Sequence, residues 1–137
     1  NKAEESNMTD LERLEKFKHL KEMINGPEAE EFKNYWDGRF FTGDMTFIFD
    51  KTPYNMYFYK GTMIDVQIGQ PANGYYVGIK GTQAQWDEFF AQRNFQLSIS
   101  VKHCEHPFEQ LGSALANRQN NTIVAQVMRL TAKAICD

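Results

Sequence analysis

The segment His103-Cys104-Glu105-His106 is the one cluster of side chains in the sequence that resembles a set of metal ligands. In a strand, neighbouring side chains point to opposite faces, so residues 103 and 105 would share one face and residues 104 and 106 the other. Neither pair completes a tetrahedral zinc site, and the remaining histidine and cysteine, His19 and Cys136, stand alone in the sequence. We therefore interpret the segment as a strand end, and we predict no metal and no cofactor.

Catalysis by a nucleophile or by an acid–base pair finds little support in the spacing of polar residues. A pair of Cys104 with His103 or His106 is supported only in the weakest sense, because sequence neighbours in a strand point apart. No phosphate-binding glycine motif is present. Carboxylates and phenols that could form an acid–base pair occur, but their spacing singles out none of them; they are Asp44, Asp50, Asp65, Glu88, Tyr57 and Tyr59. We predict no catalytic residue.

The composition is unusual in its large apolar side chains. The 137 residues include eleven Phe, six Tyr, two Trp and six Met, with a net charge of −3. Methionine adapts to irregular apolar shapes, which suits either a solid core or the wall of a ligand cavity. The net negative charge argues against a nucleic-acid partner. No apolar run in the sequence is long enough to span a membrane. Two cysteines are too few for a disulfide framework, so a reducing, cytoplasmic compartment is predicted.

The N-terminal part predicts a flexible tail and then helices. Residues 1–8 are polar and are predicted to be the tail, and residues 9–137 are predicted to form a single domain. Thr9 and Glu12 have the spacing of a capping box, which predicts a helix to about Ile24 with Leu11, Phe17 and other apolar residues on one side. A second helix is expected at about 28–36.

The middle of the chain changes to the alternation of strands. Met45, Phe47 and Phe49 alternate with more polar neighbours, which predicts a half-buried strand ending before Thr52 and Pro53. Further strands are expected at about 54–60, 62–68, 75–80 and 95–101, followed by helices at about 108–117 and 122–135. Short connections favour an antiparallel meander with one packed face. The predicted fold class is α+β, an antiparallel sheet of about five strands covered by helices, with an extra N-terminal helix.

A capped helix after the fourth strand carries the most distinctive pattern. Thr82 and Gln85 form a second capping box, so a helix begins at about residue 84. Trp86, Phe89 and Phe90 then fall on one stripe. The neighbouring Asp87 and Glu88 are predicted to face water. The stripe is either plain core or the wall of a cavity.

The order of these elements resembles the sterol-carrier-protein-2-like domain. In that family a strand ends in a short Gly/Thr/Ser turn and leads into a helix of the form (T/S)xxxWxxhh, as in Gly81-Thr82 through Trp86, Phe89 and Phe90. The segments TGDMTFIF and MYFYKGTMIDVQIG are similar to the first strands of the family. The likeness covers residues 28–135. The chain departs from the pattern in its N-terminal helix and in having no glycine after the capped helix until Gly112.

The resemblance implies an apolar tunnel between sheet and helices that binds acyl chains, sterols or other lipid-like molecules without catalysis. Some such domains serve only as accessory or dimerising parts of larger proteins, so an interaction domain with a filled core, including a homodimer, is the alternative. A third hypothesis is a small enzyme that acts on a hydrophobic metabolite. The predicted helix at the C-terminus argues against this hypothesis. The apolar faces assign the cavity wall to Trp86, Phe89, Phe90, Leu115, Val127, Met128 and Leu130.

Overall fold

The computed structural model describes residues 8–34, 37–92 and 108–137. Five strands form one open sheet in the order β3-β2-β1-β4-β5. The strands are β1 (Gly43–Phe49), β2 (Thr52–Tyr59), β3 (Thr62–Ile68), β4 (Val77–Gly81) and β5 (Glu109–Gly112). The helices are α1 (Asp10–Ile24), α2 (Glu30–Asn34), α3 (Gln83–Gln92), α4 (Ala114–Gln119) and α5 (Asn121–Cys136). The α+β class predicted from the sequence is confirmed.

The sheet is mixed, whereas the short connections predicted an antiparallel meander. Strands β1, β2 and β3 do form that meander. The chain then crosses over and places β4 on the other side of β1, parallel to it, with Thr46 opposite Gly78. Strand β5 pairs antiparallel with β4. The connection at 69–76 is long enough for this crossover, and local alternation cannot report which neighbour a strand selects.

The predicted helix at 108–117 is wrong in its first half. Phe108 and Leu111 are buried, but the residues between them belong to β5, and the helix begins only at α4. Ser113 caps α4 by accepting a hydrogen bond from the Ala116 amide at 3.0 Å. A strand of four residues is too short to show alternation, so its apolar residues imitate a helical spacing. The predicted strand at 95–101 and the cluster at 103–106 lie outside the described residues.

Two element boundaries and the burial of one strand also differ from the prediction. The region of the second helix is a short 3₁₀ turn, Pro27–Ala29, followed by the five residues of α2. Strand β2 begins at Thr52 and so includes Pro53. The turn between β1 and β2 lies at Asp50, where the backbone is left-handed (φ 58°), and not at Thr52 and Pro53 as predicted. Strand β1 is buried on both faces from Met45 to Phe49, and is not half-buried.

Helices α1 and α3 lie against one face of the sheet, and α5 packs against both of them. We call this the inner face; it carries Met45, Phe47 and Phe49 of β1, all at most 2% exposed. Phe17 of α1 and Trp86 of α3 contact Phe47 with ring centroids 6.3 Å and 5.3 Å apart. The opposite or outer face bears the alternate side chains, among which Tyr57 and Tyr59 are exposed.

Helix α1 is an integral part of the core. Its capping box is present, with Thr9 and Glu12 bonded reciprocally at 3.1 Å and 3.2 Å. Phe17, Leu20 and Ile24 are at most 1% exposed. The apolar stripe of this helix is therefore used inside the domain. Its first member, Leu11, is 70% exposed and lies off the buried side, contrary to the expected stripe.

Asparagine side chains form hydrogen bonds with the backbone of both outermost strands of the sheet. The Asn25 amide donates to the Met63 carbonyl at 3.0 Å and accepts from the Met63 amide at 2.9 Å, so it pairs with the edge strand β3 as a neighbouring strand would. At the other end of the sheet, the buried Asn117 side chain donates to the carbonyl of Leu111 in β5 and accepts from the amide of Gly78 in β4. These bonds tie the end of α1 and helix α4 to the sheet.

Candidate functional site

The aromatic stripe of α3 is buried at the centre of the inner face. Trp86 and Phe89 are fully buried and Phe90 is 5% exposed. The Trp86 ring stacks on Phe49 with centroids 4.3 Å apart, and its indole N–H donates to the Ile48 carbonyl at 2.9 Å. The tryptophan thus has a polar partner for its single donor, and the rest of its surface lies among rings.

Local hydrogen bonds fix the direction in which α3 presents this stripe. The Thr82 hydroxyl accepts from the Gln85 amide at 3.1 Å, and the Gln85 side chain accepts from the Thr82 amide at 2.7 Å, which confirms the second capping box. The carboxylate of Asp50 accepts from the Gln83 amide at 3.0 Å. Because Asp50 stands in the turn after β1, this bond ties the start of α3 to the strand that it covers.

Helix α5 supplies the second group of predicted wall residues. Val127 and Met128 are fully buried in the core, and Leu130 is partly buried against it. Leu115, on α4, is 59% exposed and is not part of that core. The structure therefore gathers the predicted residues of α3 and α5 in one apolar layer and leaves Leu115 on the surface.

Methionines are distributed through the whole of that layer. All six methionines of the chain either belong to the core cluster or pack against its rim. Four of them, at positions 45, 56, 63 and 128, are fully buried. An interior lined by unbranched, polarisable side chains can change shape at low cost, which is the property that binding of variable apolar ligands requires.

A buried polar network borders the apolar layer at the start of α1. Arg13 is only 5% exposed, and its guanidinium lies over the Phe49 ring at 4.6 Å. It donates to the Tyr54 hydroxyl at 3.2 Å and to the Gln83 side-chain oxygen at 2.5 Å. Gln83 in turn donates to the Asp87 carboxylate at 2.9 Å. The chain of contacts joins α1, β2 and α3.

The ionisation of Tyr54 follows from its position in this network. Burial raises the pKa of the Tyr54 hydroxyl above its ordinary value, although the adjacent Arg13 cation opposes the shift. The hydroxyl therefore keeps its proton at neutral pH, and it donates to the Asp10 carbonyl at 3.1 Å while accepting from Arg13. It is a hydrogen-bond donor and acceptor, and it has no tendency to act as a base.

Sequence reasoning missed this network for a definable reason. Arg13 lies on the same helical stripe as Phe17, Leu20 and Ile24, at spacings of four, three and four, and that position was the available signal. Asp87 was predicted to face water, but it is 7% exposed, because Gln83 one turn earlier brings it into the network. Glu88 is exposed, as predicted.

The acid–base candidates lie apart from the apolar layer. On the outer face, the Asn55 amide donates to Asp44 at 3.0 Å and accepts from the Thr46 hydroxyl at 2.8 Å. Tyr57 and Asp65, paired across β2 and β3, line an open surface pocket of about 290 Å³. In the described ranges, no group of three or more His, Cys, Asp or Glu side chains is arranged to hold a metal ion.

Comparison with known proteins gives no relative from which a function could be transferred. The chain matches no protein-family model, and no curated protein or solved structure is significantly similar to it. Within the parts of the chain that the structure describes, no helix combines the length and apolar character that crossing a membrane would require. A function must therefore be argued from the residues themselves.

Proposed function

We propose that this domain binds an apolar, lipid-like molecule between the inner face of the sheet and its helices, without catalysis. The observation that carries the proposal is the make-up of that layer: five of the six methionines belong to one core cluster with Trp86, Phe89 and Phe90, and the sixth, Met8, packs against it. The layer is large, nearly free of polar groups, and bounded on one side by α5. Such a layer can open around an apolar guest by moving side chains and leaving the hydrogen-bonded strands in place.

The resemblance to sterol-carrier-protein-2-like domains adds to this proposal. The strand β4 ends at Gly81, and the capped helix α3 follows and carries its aromatic stripe inward. After the capped helix, the strand β5 ends on Gly112 and leads directly into α4 and α5. The absence of a glycine between α3 and Gly112 remains a departure from the pattern of the family. Helix α1 remains an addition to the pattern.

A bound ligand is expected to stabilise the domain. Binding to the folded chain adds RT ln(1 + [L]/Kd) to the free energy of unfolding, about 2.7 kcal/mol at a hundredfold excess over Kd. A panel of fatty acids, sterols and isoprenoids should therefore contain members that raise the melting temperature by several degrees. The control variant Leu115→Ala should show the same rise in melting temperature, because Leu115 is exposed and is not part of the apolar layer. Failure of every member to bind or to raise the melting temperature would refute the proposal.

The alternative function is that of an interaction or oligomerisation domain with a filled core, and the outer face favours it. Tyr57 and Tyr59 are 40% and 50% exposed, and Ile64 beside them is 49% exposed at a register shift in β3. Large exposed aromatic side chains are enriched in protein–protein interfaces.

The alternative predicts an oligomer that depends on the outer face. Light scattering of the intact chain should give a mass above that of a monomer, and Tyr57→Glu should restore the monomer by placing a charge in the interface. The matched control is Leu11→Glu, which adds the same charge at a residue that is 70% exposed on α1 and should leave the mass unchanged. A monomeric mass for the unaltered chain would exclude self-association as its function.

A further inference from the structure

Arg13 is a buried cation whose closest partners carry no charge. The guanidinium is 5% exposed and donates to the Tyr54 hydroxyl and to the Gln83 amide oxygen. The one carboxylate that contacts it in the described residues belongs to Asp10, at 3.5 Å, and that side chain is 58% exposed. A buried charge is costly unless it is paired closely, and an exposed carboxylate at this distance compensates it weakly.

The charge of Arg13 lies at the border of the apolar layer. Its guanidinium lies over one ring of a continuous aromatic stack, because Phe49 contacts Arg13 and also stacks on Trp86. Phe17 stacks on Tyr54 at 4.7 Å beside it. The polar head of a molecule held in the apolar layer would meet this guanidinium and the neutral Tyr54 hydroxyl where the layer ends at α1.

We infer that Arg13 and Tyr54 form a head-group site for an anionic amphiphile, such as a fatty acid carboxylate, whose chain enters the apolar layer. This inference rests on the proposed function and specifies the class of its ligand. The planar guanidinium matches a carboxylate because it presents paired N–H donors. The Tyr54 hydroxyl, which donates to the Asp10 carbonyl, would turn its O–H towards the ligand head. The ligand head would displace the exposed Asp10 side chain, which is the weakest of the present contacts.

Comparison of two probes with the same chain tests the site without any substitution. Titration calorimetry with dodecanoate and with dodecan-1-ol, both below micellar concentrations, isolates the contribution of the head group. The carboxylate should bind about tenfold more tightly than the alcohol, as expected for a charge-assisted hydrogen bond in a buried site. Equal affinities would overturn the head-group site and leave the proposed function standing, whereas failure of both probes to bind would refute both.

Three variants extend the test to the residues. Arg13→Met keeps the length of the side chain and should remove most of the preference for the carboxylate while leaving the affinity for the alcohol unchanged. Asp10→Asn removes the competing carboxylate and should tighten dodecanoate binding by about threefold. Lys16→Gln is the control, because Lys16 is an exposed cation on the same helix. A preference that survives in Arg13→Met, verified as folded by circular dichroism, would also overturn the inference.

Discussion

Phe49→Ala is expected to lower the free energy of unfolding by about 4 kcal/mol, the range measured for truncation of buried aromatic residues. Phe49 is 2% exposed and is the ring that connects the two parts of the interior. It stacks on Trp86, meets Phe17 edge-on at 6.1 Å, and carries the Arg13 guanidinium on its face. Its loss would leave a cavity and would also remove the support of the buried cation. Urea unfolding followed by circular dichroism measures the effect.

Phe40→Ala provides the matched control for this prediction. The substitution is chemically identical, but Phe40 is 68% exposed and its ring contacts the Arg39 guanidinium at 4.5 Å. An exposed contact of this kind contributes about 0.5–1 kcal/mol, so the loss should be small. Equal losses in the two variants would show that Phe49 is not at the centre of the core.

Gly78→Ala is expected to lower the free energy of unfolding by about 3 kcal/mol, at the upper end of the usual cost of overpacking. Gly78 lies on β4 opposite Thr46, within the parallel pair that the crossover creates. A Cβ atom at Gly78 would lie 2.1 Å from the Thr46 carbonyl oxygen, which is backbone and cannot rotate away. The two central strands would have to separate, so chemical denaturation should reveal the loss directly.

Gly74→Ala distinguishes this steric effect from the general cost of replacing a glycine. Gly74 lies in the connection before β4, with a positive φ of 83° and no atom within 4 Å of an added Cβ. Its replacement should cost about 1–2 kcal/mol, from the left-handed backbone alone. A loss at Gly78 no larger than that at Gly74 would contradict the parallel pairing of β1 and β4.

The elements with strong local signals were predictable from the sequence. Both capping boxes, the start of α1 and the aromatic stripe of α3 follow from side-chain chemistry within a few residues, and the structure confirms them. The alternation along β2 likewise predicted that Tyr57 and Tyr59 would share one face and Met56 and Phe58 the other, and Tyr57 and Tyr59 lie on the exposed one. In these cases the interaction that defines the feature is local, so the sequence contains all of it.

The features that were not predicted depend on contacts between distant segments. The pairing of β4 with β1 is decided by which strand accepts β4 after the crossover, and β5 is recognisable only from its pairing with β4. The burial of Arg13 requires Tyr54 and Gln83, which are 41 and 70 residues away in the sequence. A charged residue on an apolar stripe signals such a partner but does not identify it.

We propose that the apolar layer and the Arg13 network form one binding site with two chemistries. The side chains of α3 and α5 offer an adaptable apolar surface, and the start of α1 places a cation and a hydroxyl at its border. Helix α1, an addition to the pattern of sterol-carrier-protein-2-like domains, is thereby given a role that goes beyond covering the sheet. Ligand binding and the integrity of α1 are expected to depend on each other, because both involve Arg13.

The most direct test of the central proposal is native mass spectrometry of the gently purified chain after incubation with a total lipid extract, followed by organic extraction of whatever is bound. The proposal predicts an adduct of the mass of one lipid or isoprenoid, and the head-group site predicts that the extracted molecule is an acid. A bare chain mass, under conditions that preserve the adduct of a known lipid-binding protein, would contradict the proposal. A bare dimer would instead support the interaction domain.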